Sequence, residues 1–160
     1  MLKDIARTWV NAAGVLEEKS WKPVHENHLL GYLLMALLVS FALRFPALTR
    51  MHAELGTGEP LEAFIAANLV STMLFGALAA YLLAALSHLT ARAVGGRGSW
   101  QQARLALFWC MVAFLPFGVL IAILDIFAVP DLVDKGVRLI VILLFFNAWI
   151  RGLAVLERAP

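Results

Sequence analysis

A single cysteine, Cys110, stands in the middle of an apolar run, so neither an intramolecular disulfide nor a thiolate metal cluster can be built from this chain. Charge is scarce as well: 15% of residues are Asp, Glu, Lys or Arg, against roughly 25% in an ordinary soluble domain. The basic residues are scattered over several loops and leave a formal net charge of +2, which offers no run or face to nucleic acid. A phosphate loop is missing too, because Gly95-Gly96-Arg97-Gly98 has no strand before it and no Lys-Ser/Thr after it. No triad and no pair of carboxylates in a shared interior can be assembled. These gaps argue against an enzyme, a cofactor, a metal centre and a nucleic-acid partner.

Apolar surface, by contrast, is abundant. The 160 residues are 62% hydrophobic with a mean hydropathy of +0.83. Water would drive such a chain to aggregate, whereas a bilayer accepts it. The sequence therefore predicts an all-α, polytopic transmembrane helical bundle of about four spans, preceded by an amphipathic interfacial helix. Residues 1–27 form that helix and its turn, and 28–156 the bundle, with spans at about 28–45, 61–94, 99–127 and 136–156.

The chain is organised around a basic hinge between two apolar helices. A helix ending in His88 and Arg92 stops at Gly95 and Gly96, which can take the left-handed conformation that terminates helices. The next begins at Ser99, with Gln102 three residues on, a capping-box pattern. Upstream, Leu2, Ile5, Trp9, Ala12, Ala13 and Leu16 share a helical face over residues 1–18. A cleaved signal peptide is the rival reading, but charged and polar residues interrupt its apolar run. Trp21, Lys22 and Pro23 follow as an interfacial turn.

Asn27 is placed to cap the first span, whose uncharged core, Leu29–Leu43, has 15 residues against the roughly 20 needed to cross. Arg44 and Arg50 can snorkel outward to extend it; a half-spanning, re-entrant segment is the competing reading. Pro46, Gly56, Gly58 and Pro60 mark residues 46–60 as a loop. In the second span Thr72, Gly76, Ala80, Ala84 and His88 recur every fourth residue, a stripe of small residues that lets another backbone approach closely. Pro116 predicts a kink in the third span, and residues 129–135 a short outer connection. With four spans, nine Lys and Arg fall on the side of the termini and four on the other. The positive-inside rule then puts both termini in the cytoplasm, in a bacterial cytoplasmic (inner) membrane.

The helix ending in His88 and Arg92, the Gly95-Gly96-Arg97-Gly98-Ser99 loop, and the following Ala103-Arg104-Leu105-Ala106-Leu107-Phe108-Trp109 with Pro116 resemble the bacterial branch of the Yip1 family of small multi-pass membrane proteins. The resemblance covers about residues 28–156. It implies the family's fold and a general, non-catalytic role in membrane organisation or trafficking, or as a partner of other membrane proteins. The family usually has five spans, and four are counted here. Eukaryotic members are associated with vesicle traffic and small Rab GTPases, but their acidic and aromatic partner-binding motifs are not evident in this N-terminus.

The remaining candidates are polar groups in or beside spans. His25 and His28, three apart, could join His88 around a metal, but without a cysteine partner they read as interfacial histidines. Asp125, near the outer end of the third span, could mark an ion path or simply a solvated helix end. Asn68, Ser71, Thr72, Tyr81, Asn147 and Arg151 need partners in hydrocarbon and point to interhelical hydrogen bonds. His88, Arg92, Arg97, Arg104, Asn147 and Arg151 are the candidates for a polar cluster or for anionic headgroups at the cytoplasmic end. Membrane lipids, and other membrane proteins or a second copy, are the expected partners. The alternatives are an accessory subunit of a larger complex, such as a respiratory or photosynthetic one, and a small transporter or channel whose water path would join Asn68, Asp125 and Asn147.

Overall fold

The computed structural model describes residues 2–21, 25–56, 58–127 and 130–158. Six helices follow in order: α1 (Leu2–Ser20), α2 (Glu26–Leu55), α3 (Leu61–Ala93), α4 (Trp100–Ala113), α5 (Leu115–Ile126) and α6 (Asp131–Leu156). No strand occurs among the described residues. Four stretches are long and apolar enough to cross a membrane: α2, α3, α6 and Trp100–Ile126, which joins α4 to α5. This is the four-span helical bundle that composition predicts. The turn expected at Lys22 and Pro23 lies outside the described residues.

The bundle is built around α4. Every residue from Leu105 to Cys110 is buried, as befits a helix that is apolar on all sides, and α1, α2, α3 and α6 all pack against it. Trp109 and Phe108 are fully buried and meet Tyr32 of α2 and Tyr81 of α3 edge-on, at 5.4 and 5.2 Å between ring centres, the arrangement that aromatic quadrupoles favour. Beyond its junction with α4, α5 packs mainly on α2 and α6, with Phe117 also meeting Trp9 of α1, and it buries none of its residues. The bundle is closed around α4 and open around α5.

Between α4 and α5 the helix breaks at Phe114 (φ −95°, ψ 0°), two residues before Pro116, whose ring and missing N–H disfavour a continuous helix. Phe117 N turns to Phe114 O at 3.0 Å, so the Ala113 carbonyl loses its regular donor. In hydrocarbon such an orphan is costly. The indole of Trp9 supplies the missing bond, Nε1 donating to Ala113 O at 2.8 Å.

That contact depends on a bend in α1. Asn11 has non-helical φ/ψ (−139°, 70°), and its Oδ1 accepts from Gly14 N at 3.0 Å, capping a second half-helix in the way Asn competes with regular backbone bonding. The two halves fold back: Lys19 Nζ lies 3.3 Å from Asp4 Oδ2 and Arg7 Nη1 3.2 Å from Glu18 Oε2, whereas residues 4 and 19 of a straight helix would stand about 22 Å apart. The expected amphipathic helix is thus two short pieces, and they pack on α4 and α6. Thr8, Ala12, Val15 and Leu16 are buried while Leu2 is exposed. Gly152 of α6 permits the approach, since a Cβ there would sit on Leu16.

Three expected boundaries are corrected. α2 starts at Glu26, ahead of Asn27, and runs through Pro46 to Leu55, so residues 46–55 are helix and not loop. Thr49 Oγ1 and Arg50 Nε both donate to the Pro46 carbonyl, holding the turn after the proline. The stop is Gly56, in the left-handed conformation (φ 53°) with its N–H on His52 O. At 30 residues, α2 is about 45 Å long, enough to cross a bilayer. α6, finally, begins at Asp131, with Asp131 and Asp134 in its first turn, where carboxylates complement the helix dipole.

Candidate functional site

The hinge and the end of α6 form one polar cluster, assembled by Glu157. α3 ends in a Schellman motif: Gly95 takes φ 92°, its N–H donates to Arg92 O at 3.0 Å, and Gly96 N donates to Ala91 O at 2.9 Å. Of the two glycines expected to be left-handed, only Gly95 is. Ser99 and Gln102 form the expected capping box, with Gln102 N on Ser99 Oγ at 3.2 Å and Ser99 N on Gln102 Oε1 at 2.7 Å. Turn and cap chemistry thus present the loop's N–H groups to one side, where the last turn of α6 arrives.

There Arg97 N donates to Glu157 O at 2.7 Å, Gly98 N to Glu157 Oε2 at 3.0 Å, and His88 Nδ1 to Glu157 Oε1 at 2.6 Å. The His88 and Glu157 side chains are 1% and 4% exposed. A carboxylate buried to that extent is tolerated only when hydrogen bonds replace its water, and here both oxygens are engaged. Gly96 and Gly98 are required by the same residue: a Cβ at either would lie within 3.0 Å of Glu157 Oε2. The His88 ring also packs on Trp100, 4.5 Å between centres. Glu157 therefore locks α3, the hinge and α6 together, although α3 and α6 themselves form no packed interface.

A second ionic contact closes the same end. Arg104 Nη1 of α4 meets Glu26 Oε1 of α2 at 2.7 Å, Tyr81 Oη of α3 donates to the same oxygen at 3.1 Å, and Arg104 Nε donates to Trp100 O. Arg104 thus reaches a neighbouring helix through a carboxylate that the sequence left unassigned. Arg92 and Arg97 are exposed at the hinge. Asn147 and Arg151 are exposed on α6 and take no part in the expected interhelical bonding. Asn68 turns back to Phe64 O of its own helix. Thr72, Gly76, Ala80 and Ala84 lie on the inward side of α3, increasingly buried toward His88, and a Cβ on Gly76 would come within 2.9 Å of Leu37 of α2.

At the far end, Asp125 is paired with Arg138, which also holds Asp134 through Nε at 2.8 and 3.0 Å. His25 and His28 meet edge-on, ring centres 5.9 Å apart. Among the described residues no group of three His, Cys, Asp or Glu is placed to hold a metal. Sequence reasoning missed Glu157 and Glu26, each of which resembles an ordinary charged helix end. The signal that could have found Glu157 is the spacing of glycines in the hinge, which leaves room and N–H groups for an acceptor.

No curated protein and no solved structure matches the chain. Residues 18–156 match the sequence model of the Yip1 domain. That stretch takes in the last three residues of α1, all four candidate spans and the hinge, and ends one residue before Glu157, so this multi-pass membrane protein belongs to the Yip1 family.

Proposed function

We propose that the protein is a non-catalytic organiser of the bacterial cytoplasmic membrane, acting as an integral partner of other membrane proteins, with both termini and the hinge in the cytoplasm. The observation that carries this reading is how its buried polar groups are used. Thr8, Ser87, His88 and Glu157 are the buried polar side chains among the described residues, and each is bonded to a structural partner: Thr8 to Trp109 and Asp4 O, Ser87 to Ala84 O, and His88 to Glu157. Groups spent on holding helices are unavailable for turnover. The exposed Arg92 and Arg97 suit anionic headgroups on the same face.

The partner reading draws support from an apolar cleft of about 530 Å³ between α3 and α6, lined by Leu83, Leu86, Trp149, Ile150 and Leu153 among others. A membrane helix seated there would complete the side of the bundle that α3 and α6 leave open. Trp149 lines this cleft and its indole N–H has no partner among the described residues, a costly state in hydrocarbon. The experiment is extraction into nanodiscs at native expression level followed by native mass spectrometry. The expected result is the chain with lipid and substoichiometric membrane partners; a large assembly of fixed stoichiometry would make it an accessory subunit instead. Orientation is checked with an impermeant maleimide on Arg97→Cys and Leu132→Cys, since Cys110 is fully buried. Only the former should label from the cytoplasmic side.

A further inference from the structure

The open half of the bundle contains a cleft of about 740 Å³ between α2, α5 and α6, and its charges are unequally used. Arg138 is neutralised by Asp125 and Asp134. Arg50 donates hydrogen bonds to two carbonyls, Pro46 O at 3.4 Å and Asp125 O at 3.3 Å, which leave its charge uncancelled. Arg44 lines the cleft and has no partner among the described residues. Glu54 stands four residues after Arg50, a spacing that permits an ion pair, yet Arg50 turns away from it and Glu54 has no cation among the described residues. Two cations and one carboxylate are left facing the same space.

Depth makes this significant. α2 is about 45 Å long against a hydrocarbon layer of about 30 Å, and Arg44 lies 11 residues before its end at Leu55. A centred α2 therefore puts Arg44 below the outer interface, where an uncompensated charge is expensive and marks a binding site by default. The cleft floor beside it is apolar, with Leu43, Ile121 and Ala122.

We propose that this cleft binds a phospholipid headgroup of zwitterionic type, its phosphodiester held by Arg44 and Arg50 and its amine by Glu54. Guanidinium forks suit phosphate oxygens, the carboxylate suits an ammonium, and the apolar floor accepts the start of the acyl chains. The site lies at the opposite end of the bundle from the hinge and is independent of the cytoplasmic arginines.

The test is thermal shift and native mass spectrometry on delipidated protein in detergent, titrated with short-chain phosphatidylethanolamine, short-chain phosphatidylglycerol and inorganic phosphate. Phosphatidylethanolamine should bind the wild type best. Arg44→Gln and Arg50→Gln should each weaken it by about tenfold or more, the value of one charge-assisted hydrogen bond. Arg44→Lys should retain part of the binding, which separates lost charge from lost fold, and Glu54→Gln should remove the preference over phosphatidylglycerol. Undiminished binding to a folded Arg44→Gln/Arg50→Gln variant would overturn the proposal. Inorganic phosphate binding as tightly as the lipid would overturn the lipid assignment in favour of a soluble anion.

Discussion

The two ends of this bundle use ionisable side chains in opposite ways. At the hinge end Glu157 engages both carboxylate oxygens and its carbonyl with His88, Gly98 and Arg97, and Arg104 finds Glu26. At the far end Arg44 and Glu54 line an open cleft without partners among the described residues. The packing explains the contrast. α4 is surrounded by four helices, so polar groups near it are forced together, whereas α5 packs mainly on α2 and α6 and leaves space between them. Glu157 and the Arg104–Glu26 pair at the closed end maintain the fold, whereas Arg44 and Glu54, beside the paired Arg138 at the open end, are available to a ligand.

The sharpest way to break this contrast is Glu157→Leu. It leaves the buried His88 Nδ1 and the part-buried Gly98 N without an acceptor, and the expected loss is about 3 kcal/mol, in line with breaking a buried hydrogen-bonded pair. Thermal unfolding in detergent measures it, and a melting temperature equal to wild type would show that Glu157 is dispensable. Gly98→Ala comes next. Its Cβ would meet Glu157 Oε2 at 2.8 Å and the Leu156 carbonyl at 2.9 Å, so neither neighbour can yield cheaply, and about 1–3 kcal/mol should be lost. Because both variants act on one contact, the double substitution Gly98→Ala/Glu157→Leu should cost less than the two separately.

Trp9→Phe keeps the ring on Phe117 but removes the donor to Ala113 O, and should cost about 1 kcal/mol, read by the same unfolding. The bend in α1 has its own pH dependence. The hydrogen-bonded Lys19 ammonium holds the Asp4 carboxyl below its ordinary value of 3.8, so its contribution is complete above that value and fades as pH falls through the lower, folded-state one. Hydrogen exchange in α1 should therefore rise on acidification below about pH 4, and Asp4→Asn should abolish that rise. The smallest effect sharpens the comparison from the other side. Arg44→Gln should change the stability of delipidated protein by no more than about 0.5 kcal/mol, because no contact within the fold depends on it.

Much of this was legible in the residues themselves. The apolar stretches, the capping box at Ser99 and the break near Pro116 are local properties, set by side-chain chemistry within a few positions. Local signals were also misread: Asn11 with Gly14 reads equally as one polar position on a continuous helix, and Pro46 reads as a stop. Only Gly at 14 leaves room for the Asn11 cap, whose Nδ2 would lie 2.7 Å from a Cβ there, and only the packed bundle makes the bend worth its lost backbone bonds. Asn147 shows the converse error, for a polar residue in an apolar run implies a partner, yet the rotation of α6 leaves it outward.

By itself, the sequence determined that this chain enters a membrane as four helices, where the hinge between the second and third spans falls, and which side of it is basic, because hydrophobic length, glycine conformation and charge counts are properties of contiguous residues. The tertiary structure alone decided that Glu157 meets His88 across 69 positions, that Trp9 completes the broken span at Ala113, and that Arg44 faces an open cleft. Those contacts depend on which helices surround α4 and which leave α5 uncovered, and that choice is made by the packing of whole helices.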